Sequence, residues 1–313
     1  MKKIGSFFKL VRWPNLLITA LMMCLVFHCI MMMQSTVSFT LLVISMVFIV
    51  AGGYVINDIF DMETDAINKP KKLIVGKVFS EKQCGVFYWT LTIIGLCCGL
   101  ASTIMALGSK FYMIFACLLL LSAILYSYSK TYKKKLLIGN VIVSLSVAFA
   151  VFLPWLFVML YMSANPLLLR ANEDLMTTSL RIVLFYSAFA FLTTLIREIV
   201  KDMEDVDGDG RTHCRTIPVV LGLKKTSIIV IVLLLLMSGT IFSFENFFEN
   251  ISDIRTPIIL IEVMKYMFIG LMAAFMTTVM QKPAKPEKTY HIVSILLKIT
   301  MLIGILTMIF INF

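Results

Sequence analysis

Residues Phe39 to Asn57 read FTLLVISMVFIVAGGYVIN, and residues Asp58 to Asp65, directly after them, read DIFDMETD. The first stretch carries no charged side chain and has the length, about 20 residues, that a helix needs to cross the hydrocarbon of a bilayer. The second ends that run abruptly with four carboxylates. An apolar span closed by a dense acidic segment decides both the fold class and where to look for chemistry.

Working outward, apolar runs of this kind recur along the chain. Nine candidate spans follow one another: Asn15–Met33, Phe39–Asn57, Val86–Leu107, Phe111–Ser129, Leu136–Met162, Leu180–Val200, Val219–Phe244, Pro257–Met280 and His291–Phe313. The composition agrees. Apolar residues make up 60% of the 313 and charged residues only 15%, against roughly 45–50% apolar in soluble domains. A water-soluble fold, a disordered chain and a nucleic-acid partner are thereby set aside. The expectation is an all-α polytopic membrane protein, with residues 1–313 forming one integral-membrane domain and the lipid bilayer as its first partner.

The net charge of +10 has a topological reading. With the N-terminus placed in the cytoplasm, 22 of the 28 basic residues fall on that side, as the positive-inside rule requires. This predicts a cytoplasmic N-terminus, an external C-terminus and insertion in the inner or cell membrane. The basic start MKKIGSFFKLVRWPN resembles a signal peptide, but no small-residue cleavage site follows, so the next apolar run reads as the first span. The seven cysteines sit mostly in apolar stretches without a metal-type CxxC pair and read as small buried hydrophobes.

Ten of the 18 acidic residues lie in two short segments, each at an expected cytoplasmic span end. Asp58, Asp61 and Asp65 stand at i, i+3, i+7, and Asp202, Asp205 and Asp209 repeat that spacing within REIVKDMEDVDGD, residues 197–209. On a helix each set is one carboxylate stripe, whose like charges repel by a few tenths of a kcal/mol per pair. Near lipid the desolvation penalty adds to this. Oxygen ligands with no His/Cys cluster suit Mg²⁺, which takes one or two carboxylates and completes its octahedron with water and phosphate oxygens. The two stripes thus predict Mg²⁺ ions bridging to a diphosphate. A solvated helix cap explains either stripe alone, though less well the repeat of the spacing. An EF-hand reading of residues 205–209 fails, because Thr216 stands where the twelfth-position Glu belongs. Among the interleaved cations, Lys69, Lys71 and Lys72 follow the first stripe, while Lys201, Arg211 and Arg215 flank the second. Lys130 ends a span after YSYS.

These residues resemble a known family. Asn57-Asp58-x-x-Asp61-x-x-x-Asp65 resembles the first aspartate motif of the UbiA-type intramembrane prenyltransferases, and Asp205-x-x-x-Asp209, with Asp202 upstream, resembles their second. The entry Arg12-Trp13-Pro14-Asn15, the stretch Tyr126 to Lys130 and Gly139-Asn140 are similar as well. The resemblance implies nine transmembrane helices around a central cavity with cytosolic capping segments. It also implies transfer of an isoprenyl group from an allylic diphosphate donor to a lipophilic acceptor. In that frame Asp58, Asp61, Asp65, Asp202, Asp205 and Asp209 hold Mg²⁺. Asn57, Asn15, Tyr126, Lys69, Lys130, Lys201 and Arg211 are the expected substrate contacts.

A developing allylic cation needs a dry pocket. Aromatic faces stabilise it by up to about 2 kcal/mol each when desolvated, and Tyr54, Phe60, Tyr126, Tyr128, Phe185 and Phe189 are the candidates. The second motif, continued by Arg215-Thr216-Ile217-Pro218, is most similar to the branch whose acceptor is geranylgeranylglyceryl phosphate. Prenylation of dihydroxynaphthoate is the alternative. A divalent-cation or proton-coupled transporter stays open as a different class, because acidic clusters within spans also mark transport pathways. Arg181, Glu262, Lys265 and Lys298 fall in or near spans, and Glu262 and Lys265, three apart, are placed to pair.

Overall fold

The structure, a computed structural model, describes residues 2–30, 36–68, 70, 73–212, 214–249, 262–266, 268–272, 275–276 and 286–310. Among these the ordered backbone is helical, apart from one isolated bridge between Val75 and Phe79. Six helices are long and apolar enough to cross a membrane, or seven when the bent pair Lys3–Leu10 and Trp13–Cys29 counts as one span. One of the six, Glu81–Lys130, has 50 residues, about 75 Å if straight and more than twice the hydrocarbon thickness. It is two helices that part at Gly108 and pack on each other. The expected span Pro257–Met280 lies partly outside the described residues, and the count of nine is not established. The all-α membrane class stands.

The chain divides into two compact units, Met1–Lys133 with Ala150–Leu180, and Lys134–Phe149 with Arg181–Phe313. In the first unit α1 (Lys2–Leu10) meets α2 (Trp13–Cys29) at 51°. Pro14, in the first turn of α2, has no N–H to carry the α1 ladder onward. Arg12 takes up the break at φ 54°, ψ 50°, a left-handed conformation that costs an L-residue roughly 1–2 kcal/mol. Helix α3 (Thr36–Phe60) runs into the short α4 (Met62–Asn68). Helix α5 (Glu81–Leu107) opens on a capping box between Ser80 and Gln83, and α6 is Phe111–Lys130.

Small residues set the α3–α5 contact. A Cβ on Gly95 would stand 2.9 Å from Ile49 Cγ1 and 3.0 Å from the Ser45 carbonyl, and one on Gly99 would stand 2.6 Å from Ser45 Oγ. The Ser102 hydroxyl also donates to the Ser38 carbonyl at 2.6 Å. Lipid gives helices no hydrophobic reason to associate, so a close glycine face with interhelical hydrogen bonds supplies the attraction. Under the α3 end, Leu10, Val11, Val55, Ile56, Phe79 and Tyr88 form one buried cluster. It fixes α1 and the turn after α4 against the span that carries the first aspartates.

Helix α7 (Ile138–Met162) gives its first part to the second unit and its remainder to the first, which also holds α8 (Pro166–Ala171). The second unit contains most of α9 (Glu173–Glu204), then α10 (Val206–Arg211), α11 (Ile217–Glu249) and α12 (Pro286–Thr307). Helix α11 is kinked at Gly222, φ 78°. Ile228, Val232, Leu235 and Phe242 form an exposed stripe along it, an outward apolar face that suits lipid. Helix α12 lies close on α9: Gly304 admits the Phe189 ring, and the Tyr186 and Thr307 hydroxyls hydrogen-bond.

Replacing Gly95 or Gly99 by Val should destabilise the protein by about 1–3 kcal/mol through overpacking. Gly239→Ala on α11, with open space around its Cβ position, should be neutral or mildly stabilising. Unfolding midpoints of the purified variants in one detergent check both, and equal midpoints for all three would contradict the close-packing account.

Candidate active site

The first aspartate motif sits where α3 ends. Asp58 is in the last turn of α3, Asp61 at the break before α4, and Asp65 within α4. Hydrogen bonds from Asp61 N to Asn57 O at 2.9 Å and from Asp65 N to Asp61 O at 2.8 Å carry the helical spacing across the break. A helix C-terminus is the negative end of the backbone dipole, where a carboxylate is disfavoured by about 0.3–1 kcal/mol. Helix α3 has no basic residue of its own in that turn.

Compensation comes from elsewhere in the chain. Arg12 Nη2 donates to Asp58 Oδ1 at 2.8 Å, and the guanidinium lies over the Tyr54 ring, 4.8 Å from its centroid. Asn15 Nδ2 donates to the Tyr54 hydroxyl at 3.2 Å and so steadies that ring. Asp61 is 8% exposed. Its Oδ2 accepts from Asn57 Nδ2 at 2.6 Å and pairs with the Lys133 ammonium. Burial works against the charge on Lys133, but the pull of Asp61, joined by Tyr128, outweighs it and holds the ammonium above the usual lysine range. Lys130, expected at the site, is exposed and lies 5.9 Å from the Tyr126 ring centroid. Phe60, Tyr126 and Tyr88 form a chain of edge and tilted ring contacts beside the motif.

The second motif lies in the second unit. Asp202 ends α9 and accepts from Asn140 Nδ2 on α7 at 2.8 Å. Asp205 stands at the N-cap position of α10 without making a capping bond, and Asp209 in α10 is buried. Lys201 and Arg197 both turn to Glu198, at 2.9 and 2.8 Å. Arg211 is exposed at the end of α10. Glu204 pairs with His291 of α12 at 3.1 Å. Glu262 and Lys265 form the expected pair at 3.1 Å. Lys69 lies outside the described residues.

Sequence reasoning thus missed Lys133, which is hidden in a run of three lysines that reads as topology, and did not assign Arg12 or Asn140 a role. The signal for Arg12 was present: a lone arginine directly before the Trp-Pro that starts a span. Among the described residues no three His, Cys, Asp or Glu side chains gather into a ready metal cluster. The donor set nevertheless fits Mg²⁺, because it is all oxygen. Asp58 is engaged by Arg12 through Oδ1, and the contacts of Asp61 fall on Oδ2. Mg²⁺ needs one or two carboxylates and takes its other oxygens from water and phosphate.

Fold and site together define an integral-membrane protein of α-helices with aspartate motifs at two helix ends. A model of the UbiA prenyltransferase family matches residues 16–295, and the chain belongs to that family. Over 194 residues it is 36% identical to the digeranylgeranylglyceryl phosphate synthase of Saccharolobus solfataricus, a match covering 61% of this chain and 60% of that protein. The chain therefore matches about three fifths of that relative's length. A solved structure of a digeranylgeranylglyceryl phosphate synthase aligns over 99% of this chain and 98% of its own, with a TM-score of 0.63 and 26% identity. A UbiA homologue from Archaeoglobus fulgidus, solved with DMAPP and Mg²⁺, shares the fold at a TM-score of 0.59 and 14% identity over 97% of this chain and 99% of its own.

The Arg12–Asp58 pair is half-buried, with side-chain exposures of 38% and 19%, so a double-mutant cycle with Arg12→Met and Asp58→Asn should give a coupling of about 1 kcal/mol that shrinks with added salt. Stability of the four proteins in detergent measures it; a coupling of zero at low salt would refute the pairing.

Proposed function

We propose that the chain acts as a single prenyltransferase domain and transfers a geranylgeranyl group from its diphosphate to geranylgeranylglyceryl phosphate. The observation that carries this reading is the pair of aspartate motifs at helix ends, the first already furnished with Arg12, Lys133 and Asn57 around its carboxylates. The similarity to digeranylgeranylglyceryl phosphate synthases supports the choice of donor and acceptor. The homologue solved with DMAPP and Mg²⁺ supports an isoprenyl diphosphate and that ion.

Asp58, Asp61, Asp65, Asp202, Asp205 and Asp209 are the residues that would hold Mg²⁺, with Asn57 alongside. Bound there, Mg²⁺ supplies Lewis-acid stabilisation of the leaving diphosphate, worth several kcal/mol. Arg12 and Lys133 join Lys69, Lys130, Lys201 and Arg211 as cations for the polyanion, while Asn15 and Tyr126 complete the expected contacts. The allylic C–O bond breaks with its electron pair on the diphosphate. The acceptor hydroxyl oxygen then bonds the freed carbon and passes its proton to the departing diphosphate. Phe60, Tyr126 and Tyr88 offer ring faces to the developing cation, each worth up to about 2 kcal/mol when dry. The positive-inside asymmetry supports a cytoplasmic N-terminus and active-site mouth, with the C-terminus outside.

The test is a transfer assay on the purified protein with labelled geranylgeranyl diphosphate, Mg²⁺ and either geranylgeranylglyceryl phosphate or dihydroxynaphthoate. Product from the glyceryl phosphate is expected, with a loss of about 10²-fold or more in Asp58→Asn and in Asp205→Asn and none formed under EDTA. Product from the naphthoate alone would move the protein to quinone chemistry. Absence of Mg²⁺-dependent binding of any isoprenyl diphosphate would overturn the enzyme reading.

A further inference from the structure

Helix α9 carries a polar face that the aspartate motif does not account for. Ser187, Thr194 and Arg197 lie on it at i, i+7 and i+10, within about 80° of one another on a helix. Ser187 Oγ, Thr194 Oγ1 and Arg197 Nε are all buried and, among the described residues, make no hydrogen bond. Such orphans are few in native structures, and each calls for an explanation. Three on one helix form a track about 15 Å long that ends one and a half turns before Asp202.

Three charged side chains meet at the end of this track. Glu198 accepts from Arg197 Nη1 at 2.8 Å through Oε1 and from Lys201 Nζ at 2.9 Å through Oε2. One carboxylate between two cations leaves the trio at +1. The contact runs through Nη1, and the other edge of the guanidinium, Nε with Nη2, makes no hydrogen bond among the described residues. That edge is the fork which takes a phosphate through two parallel hydrogen bonds. Arg197 is flanked along α9 by Ile196, Ile199 and Val200, all fully buried. Arg197 itself is 20% exposed and paired with Glu198, and an arginine in or near a membrane span is a place to look for function.

We propose that this face of α9 seats the anionic headgroup of the lipid acceptor. Arg197 clasps its phosphate, Glu198 holds the arginine in place, and the Thr194 and Ser187 hydroxyls meet the oxygens of the glyceryl backbone. This deepens the acceptor assignment above and rests on it. Hydroxyls both donate and accept, so they match ether and alcohol oxygens equally.

The experiment compares geranylgeranylglyceryl phosphate with unphosphorylated geranylgeranylglycerol, using the full chain in nanodiscs with Mg²⁺ and geranylgeranyl diphosphate. Acceptor affinity and KM are measured for the wild type, Arg197→Gln, Arg197→Lys and Thr194→Val. Arg197→Gln should weaken the phosphorylated acceptor by about 10- to 100-fold, the worth of hydrogen bonds to a charged group. It should leave the unphosphorylated acceptor and the binding of geranylgeranyl diphosphate unchanged. Arg197→Lys should recover part of the loss, and Thr194→Val should raise KM for both acceptors. Equal losses on both acceptors in Arg197→Gln, or no loss on either, would overturn the proposal and make Arg197 a structural group. A wild type that ignores both glyceryl acceptors but prenylates dihydroxynaphthoate would refute the acceptor assignment separately. The seat itself would then stand only if Arg197→Gln weakened the naphthoate carboxylate to the same degree.

Discussion

Carboxylates stacked at the end of a membrane helix are the constraint on which the rest of the first unit depends. Asp58 and Asp61 repel each other, oppose the α3 dipole and close a helix long enough to cross a membrane. Apolar packing relieves none of these penalties. Only positive charge or a donated hydrogen bond does, and the chain brings both from a distance. Arg12 arrives because Pro14 forces α1 and α2 apart at a left-handed residue. Lys133 arrives from the turn that follows α6. A strained backbone conformation at Arg12, which would otherwise be a pure cost, is the geometry that delivers a guanidinium to Asp58.

The scaffold beneath this charge must be stiff, and in lipid stiffness cannot come from the hydrophobic effect. The α3–α5 contact shows the substitute. Gly95 and Gly99 remove side chains so that two backbones approach, and the Ser102 hydroxyl then reaches the Ser38 carbonyl. Where the chain needs no such approach it stays apolar and exposed, as on the outward stripe of α11. Glycine and serine therefore mark the protein-facing side of a span, and Ile, Val, Leu and Phe the lipid-facing side. This inverts the reading appropriate to a soluble helix.

Much of this was legible in the sequence. The spans stand out by length and apolarity, and the two aspartate stripes by their shared spacing, because both signals are local. What was not legible depends on partners distant along the chain. Lys133 is one of three adjacent lysines, and only the direction of the turn after α6 selects it over Lys134, Lys135 or Lys130. Asn140 is an ordinary polar residue in an apolar run until α7 sets it beside Asp202. The break within residues 81–130 was readable from Gly108. The orphaned groups of α9 were not, since a Ser or Thr in a helix commonly bonds its own preceding turn, as Thr193 does to the Phe189 carbonyl.

The two motifs answer the same electrostatic problem in different ways, and the difference bears on chemistry. Asp61 receives a full positive charge from Lys133, whereas the hydrogen bond to Asp202 comes from an amide that carries none. Along α9 and α10 the net charge then runs from basic to acidic. Arg197, Glu198 and Lys201 sum to one positive charge, and the run from Asp202 to Asp209 is wholly acidic. The Glu198–Lys201 pair, three residues apart, adds a few tenths of a kcal/mol, but the five carboxylates from Asp202 to Asp209 have no basic residue among them. The field along the helix therefore changes sign within a turn and a half. Such a field suits two ligands of opposite charge side by side: a hard cation over the carboxylates, and an anionic headgroup one step further along the helix.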